Sequence, residues 1–87
     1  MNFSLSEQIC LKYNEISDTY YLFCIKSGKH FSLNHTSYDI LTLLQEGKDK
    51  NEIAKRISEH YNADIELCRK DIDELFVFLL NNNLLNK

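Results

Sequence analysis

The segment LNHTSYDILTLLQEG, residues 33–47, separates two parts of the chain whose apolar residues follow different periods. Before Leu33 the apolar residues stand in short, alternating runs, which is typical of β-strands. After Asn34 they recur every three or four residues, which is typical of amphipathic helices. The sequence therefore predicts an α+β domain in which a sheet comes first and helices follow.

Length and charge limit the classes of protein to consider. The chain has 87 residues, which predicts a single domain over residues 1–87. Its 10 basic and 13 acidic residues give a net charge of −3, which disfavours a partner bound mainly through phosphates. It has no signal-peptide pattern and no run of roughly 20 apolar residues. We therefore expect a cytoplasmic protein with no membrane partner and no nucleic-acid partner.

The cysteines predict neither a disulfide framework nor a metal site. Cys10, Cys24 and Cys68 are an odd number of thiols far apart in sequence. Without an export signal, such cysteines are expected to be reduced, and buried or half-buried. No Cys/His group has the spacing of zinc ligands. We expect no metal and no cofactor.

Three short segments before Leu33 predict a three-stranded antiparallel meander. Ile9, Leu11 and Tyr13 alternate with polar residues, and the apolar run 20–25 predicts a central strand covered on both faces. Residues 30–33 predict a short third strand at an edge, and Gly28 marks the turn before it.

Capping signals divide the remainder into three helices. Asn34 or Thr36 can cap the first helix, and Gly47 ends it. Residues 49–52 form a capping box for the second helix, and the third begins near Asp64. The predicted core residues of the three helices are Tyr38, Ile40, Leu41 and Leu44; Ile53, Ala54, Ile57 and Tyr61; and Cys68, Ile72, Leu75, Phe76 and Leu79.

One flank of the third helix carries more apolar residues than its core face requires. At 100° per residue, Leu67, Asp71, Glu74 and Phe78 align beside Leu75. These residues either widen the core contact or form one wall of a slot. An open strand edge beside such a flank would accept an extended peptide, unless Lys29 and His30 serve to protect that edge.

The order and spacing of these segments resemble the PqqD-like family, the precursor-peptide recognition domains of pathways that make ribosomally synthesised, post-translationally modified peptides. The similarity covers roughly residues 20–85. Two departures are the absence of tryptophan, which many relatives carry near the position of Leu41, and asparagines 81–83 in place of a glycine turn. The residues that carry the resemblance are Ser27-Gly28-Lys29-His30-Phe31, Leu33-Asn34-x-Thr36-Ser37, Ile40-Leu41-x-Leu43-Leu44-x-x-Gly47, Asn51-Glu52-Ile53 with Ile57 and Tyr61, Asp71-Ile72 with Phe76 and Leu79, and Leu84-Leu85.

The resemblance implies a winged-helix-like domain with a three-stranded antiparallel sheet followed by three helices. It implies that the leader of a precursor peptide binds as an added strand between the third strand and the third helix. The implied partner is a separate peptide-modifying enzyme. It would be a radical enzyme, a protease or a cyclodehydratase, and the resemblance does not choose among them. The implied peptide-binding residues are Lys29, His30, Phe31, Ser32 and Leu33 on the edge, and Leu67, Lys70, Asp71, Glu74, Leu75 and Phe78 on the helix.

Other functions receive less support from the residues. His30, His35 and His60 fall on different predicted elements, and we expect no catalytic residue and no enzymatic activity. A winged-helix DNA-binding regulator is the alternative, although the third helix has more acidic than basic residues. A homodimer sealed through the open sheet edge is also possible on this pattern.

Overall fold

The computed structural model describes residues 4–86. Five strands and three helices follow one another along the chain. They are β1 (Ser4–Leu5), β2 (Ile9–Asn14), β3 (Thr19–Cys24), β4 (His30–Leu33), α1 (His35–Gln45), α2 (Lys50–Tyr61), α3 (Ile65–Asn81) and β5 (Leu85–Asn86).

The main sheet is the predicted antiparallel meander, with strand order β2-β3-β4. In β3, Leu22 is fully buried and pairs with Leu11 on one side and Phe31 on the other. The prediction that both faces of β3 are covered is wrong. Tyr21 and Phe23 point away from Leu22 and remain partly exposed, whereas the face that carries Leu22 belongs to the core.

A second, two-stranded sheet joins the two ends of the described chain. Leu5 of β1 pairs with Leu85 of β5, and Leu84 is buried beside them. The sequence did not predict these strands, because two residues are too few to show a period. Strand β5 follows α3 and pairs with β1, and β1 in turn contacts α1. The pairing therefore connects the end of α3 to α1.

The ends of α1 follow the predicted signals. Asn34, not Thr36, is the N-cap, and its Oδ1 accepts the Ser37 N–H at 2.7 Å. At the other end, Gly47 has a φ of 90°. The Lys48 N–H donates to the Leu43 carbonyl at 3.2 Å, which completes a Schellman motif.

Asparagine takes the role of glycine at the end of α3. Asn83 has a φ of 58°, a conformation that asparagine tolerates better than most residues. The Leu84 N–H donates to the Leu79 carbonyl at 2.8 Å, and the Asn83 N–H donates to the Leu80 carbonyl at 3.2 Å. Because this is again a Schellman motif, the missing glycine does not change how the helix ends.

The core lies between the sheet and the helices and contains most of the predicted residues. Tyr38, Tyr61 and Leu75 are half-buried at its margin, and Leu41 is fully buried where many relatives have tryptophan. All three cysteines are free thiols, with Cys68 buried and the other two half-buried, as predicted. Within residues 4–86, no helix is long and apolar enough to cross a membrane. The buried residues are Leu5, Ile9, Leu22, Ile40, Leu41, Leu44, Ile53, Ala54, Ile57, Cys68, Ile72, Phe76, Leu79 and Leu84.

Substitution of Asn34 tests its assignment as the N-cap of α1. Asn34→Ala removes the acceptor of the Ser37 N–H, and we expect it to lower the free energy of unfolding by about 1 kcal/mol. Asn34→Asp keeps an acceptor and should stay close to the original stability. Urea denaturation measures both values. Equal stability of the two variants would contradict this assignment of the cap.

Candidate functional site: the groove between β4 and α3

Among the strands of residues 4–86, β4 pairs only with β3, so its other edge is open. Alternation in the sheet indicates which residues face that edge. The Cys24 N–H donates to the Lys29 carbonyl at 2.8 Å, and the Ile25 N–H donates to the Gln8 carbonyl at 2.8 Å. Successive residues of a central strand bond to opposite neighbours. Residues 20, 22 and 24 of β3 therefore bond toward β4.

The partners of those residues in the β4 register are Lys29, Phe31 and Leu33. The main-chain groups of His30 and Ser32 consequently point to the open edge. Two N–H and two C=O groups are thus aligned to pair with another strand.

Helix α3 lies beside this edge and is held there by an aromatic contact. The rings of Phe31 and Phe78 meet edge to face, with centroids 5.2 Å apart and planes at 87°. Both rings are half-buried and pack against the core. This pair forms the floor of a groove whose walls are β4 and α3.

The wall on α3 contains the flank identified from the sequence. Leu67, Asp71 and Glu74 lie on the same side of the helix as Phe78 and are exposed. Leu67 is 61% exposed, so it does not widen the core contact. Phe78 does contact the core, so the first interpretation holds for Phe78 alone. That the flank forms one wall of a peptide-binding slot stays a prediction. Lys70 is exposed at the outer rim of the same wall.

The predicted edge residues divide between two environments. Phe31 and Leu33 point toward the helices and pack against the core. His30 and Ser32 are exposed on the opposite face of the sheet, where the His30 ring lies 6.1 Å from the Phe23 ring. Lys29 is exposed in the turn that precedes β4. A strand added at this edge would therefore meet different surroundings on its two faces.

A cavity of about 420 Å³ opens where the groove reaches the turn between β3 and β4. Of its lining, the sequence had assigned only Lys29 and Phe31 to the site. The others were missed because residues 24–29 and the end of α3 are far apart in sequence, and no local pattern predicts that they meet. The lining residues are Ser6, Gln8, Cys24, Lys26, Ser27, Lys29, Phe31, Asn81, Asn82, Asn83 and Leu84.

The thiol in this cavity reports its local electrostatics. Hydrogen bonds from the Ser27 side chain and main chain lower the pKa of the Cys24 thiol. The main chain and the charge of Lys26 act in the same direction, while partial burial opposes them. These interactions favour the thiolate form of Cys24.

A separate cluster brings two of the three histidines together. The rings of His35 and His60 both contact the ring of Tyr61, with centroids 6.0 and 4.7 Å away. The Tyr61 hydroxyl donates to the Asp39 carboxylate, which lies 3.6 Å from His35 Nε2. The sequence placed these histidines on different elements, and it did not foresee their convergence because α1 and α2 meet only in the fold.

The hydrogen bond between Tyr61 and Asp39 links α2 to α1. Burial, and then the hydrogen bond to Asp39, raise the pKa of Tyr61 to about 12. Tyr61 is therefore neutral near pH 7 and donates a proton in its hydrogen bond.

Within residues 4–86, no group of three or more His, Cys, Asp or Glu side chains is arranged to hold a metal ion.

The charges on the surface of α3 are mostly acidic or paired. Arg69 is paired with Glu66 at 3.1 Å. Asp71, Asp73 and Glu74 follow on the exposed part of the helix. A recognition helix needs free cations facing the phosphates, so these charges disfavour the DNA-binding alternative.

An unpaired strand edge beside an apolar helical flank defines the class of domain that can take up an extended chain as an additional strand. A family model described as Coenzyme PQQ synthesis protein D (PqqD) matches residues 19–85. The chain belongs to the PqqD family, as its resemblance implied.

Solved structures share the fold over nearly the whole chain. One is TbiB1 in complex with the TbiA(beta) leader peptide, which is 26% identical, with a TM-score of 0.82 over 95% of this chain and 94% of that one. A second is lasso peptide synthetase B1 complexed with the leader peptide, at 22% identity and a TM-score of 0.83 over 100% of both chains.

A third similar structure is the solution NMR structure of the PqqD truncation of Methylobacterium extorquens PqqCD. It is described as a functional, stand-alone recognition element for ribosomally synthesised and post-translationally modified peptides. Its identity is 20% and its TM-score 0.82, over 98% of this chain and 88% of that one. No curated protein matches the chain.

Proposed function

We propose that this protein is a non-catalytic recognition protein that binds the leader of a ribosomally made precursor peptide as an added strand on β4. The observation that carries the proposal is the outward-pointing main chain of His30 and Ser32 beside the groove over Phe31 and Phe78. Membership of the PqqD family and similarity to TbiB1, whose structure contains a leader peptide, support it.

Main-chain pairing alone is too weak to hold the peptide. A main-chain hydrogen bond contributes about 1 kcal/mol net. The N–H and C=O groups of His30 and Ser32 would therefore provide about 4 kcal/mol in total. That free energy corresponds to a Kd of about 1 mM, before the entropic cost of association is subtracted. The groove must therefore supply most of the affinity through the side chains of the peptide.

Alternate side chains of the bound strand would enter the groove. Those on the helical side would meet Phe31, Phe78 and Leu67, which favours apolar residues at every second position of the leader. The intervening side chains would lie on the other face near His30 and Ser32. Selectivity would thus depend on the spacing of apolar residues.

The chemistry would be carried out by a separate enzyme. Binding of the leader would hold the rest of the precursor near that enzyme and raise its effective concentration. A radical enzyme, a protease and a cyclodehydratase all fit this role. We place the protein in the cytoplasm, where the precursor is synthesised.

The same edge of β4 can pair with a second copy of the chain. Such a homodimer would occupy His30 and Ser32 and would compete with the leader. Sedimentation of the protein with and without peptide distinguishes the two uses of the edge.

Substitution of Ser32 tests strand addition directly. Ser32→Pro removes an outward N–H without removing a bond to β3, and proline is tolerated on such an edge. We expect about fivefold weaker binding of synthetic peptides that cover the short open reading frames beside the gene. Ser32→Ala, which keeps the N–H, should bind normally. Fluorescence anisotropy measures both, and equal affinities for the two variants would contradict strand addition.

A matched pair on α3 tests the groove wall. Leu67 and Val77 are 61% and 55% exposed, but only Leu67 lies on the flank beside β4. We expect Leu67→Gln to weaken peptide binding about fivefold through lost apolar contact, and Val77→Gln to leave it unchanged. Both should unfold at the urea midpoint of the original protein. Equal effects on binding would mean that the peptide does not contact this wall.

A further inference from the structure

The cavity at the turn end of the groove has a charge opposite to that of the whole protein. Although the chain carries a net charge of −3, the charged residues that line this cavity are Lys26 and Lys29. Hydroxyl and amide side chains supply the remaining polar lining, among them Ser27 and asparagines 81–83. No carboxylate lines the cavity among the described residues.

Both lysines are available to a ligand. Within residues 4–86, neither Lys26 nor Lys29 forms a salt bridge, whereas Lys50 and Arg56 on α2 are paired with Asp73 and Glu52. The floor beside them is the ring of Phe31, which continues into the groove. A peptide on β4 would therefore pass directly from the apolar groove to the two ammonium groups.

Cys24 is affected by the same groups through the pKa of its thiol. Its thiol lines the same cavity, and its pKa is lowered by donors of Ser27 and Lys26. Donors that stabilise a thiolate at this position can also serve a carboxylate of a bound molecule.

The opposite part of the groove would repel the same group. Because Asn81 to Asn83 at the end of α3 line the cavity, the earlier turns of α3 lie toward the Leu33 end of β4. Those turns carry Asp71 and Glu74, which form no salt bridge within the described chain, and Lys70 at the outer rim of the same wall. A carboxylate is thus attracted at one end of the groove and repelled at the other.

We propose that the cavity binds an aspartate or glutamate side chain of the leader, and that this acidic residue fixes the position and direction of the leader along β4. The carboxylate would accept hydrogen bonds from the Lys26 and Lys29 ammonium groups. This assignment rests on the proposed function, because it requires a strand on β4. It adds to that function a requirement for an acidic residue at one end of the alternating apolar residues of the leader.

Selection from a random library tests the assignment without knowledge of the natural leader. Random dodecapeptides displayed on their own mRNA are selected on the full chain and on the Lys26→Gln/Lys29→Gln variant. We expect the original protein to enrich an acidic residue at one end of an apolar alternation. The variant should keep the alternation and lose the acidic residue. Lys55→Gln, on the exposed part of α2, is the control and should select like the original protein.

A double-mutant cycle on one selected peptide measures the interaction itself. Replacing its acidic residue with the amide should weaken binding about tenfold to the original protein, and less than twofold to the Lys26→Gln/Lys29→Gln variant. If peptides bind at β4 without acidic enrichment, or if the two losses are equal, this assignment is wrong and the proposed function stands. If no peptide is retained by the original protein, both are wrong.

Discussion

The edge-to-face contact between Phe31 and Phe78 sets the geometry on which the groove depends. Ile72, Phe76 and Leu79 of α3 are buried in the core. The aromatic pair ties the last third of α3 to the middle of β4 at 5.2 Å between centroids. Such a pair contributes about 1 kcal/mol beyond its buried area. It also covers the groove floor with apolar surface beside the main chain of His30 and Ser32.

The proposed binding separates affinity, selectivity and direction among different parts of the groove. The main chain of β4 would accept any extended peptide and therefore could not select one. The apolar side chains of Phe31, Phe78 and Leu67 would select for alternate apolar residues. Lys26 and Lys29 at one end, with Asp71 and Glu74 toward the other, would distinguish the two directions of the peptide. The two Schellman motifs, at the ends of α1 and α3, help to hold these parts of the groove in position.

Much of the fold could be predicted because its signals are local. The periods of two and 3.6 located β2, β3, β4 and the helices. Residue type indicated the cap Asp49, and it left Asn34 and Thr36 as alternatives for the cap of α1. The paired strands β1 and β5 could not be predicted, because two residues show no period and their partner is at the other end of the chain. The uncovered outer face of β3 was missed since an apolar run does not reveal which face is buried.

The candidate site was predictable in outline for the same reason. The flank of α3 follows from helical spacing, and the open edge follows from the position of β4 as the last strand of the meander. The cavity beside Lys29 was not predictable, because it requires residues 24–29 to meet the end of α3. The contact of Tyr61 with His35 and His60 likewise depends on how α1 and α2 cross.

Amide hydrogen exchange, measured by NMR on the free and peptide-bound protein, tests the central claim most directly. In the free protein, the amides of Phe31 and Leu33 should exchange slowly because they bond to β3, while those of His30 and Ser32 should exchange rapidly. Saturation with a bound peptide should slow His30 and Ser32 at least tenfold and leave the other two unchanged. If a peptide binds without protecting His30 and Ser32, or protects the outer edge of β2 instead, strand addition at β4 is contradicted.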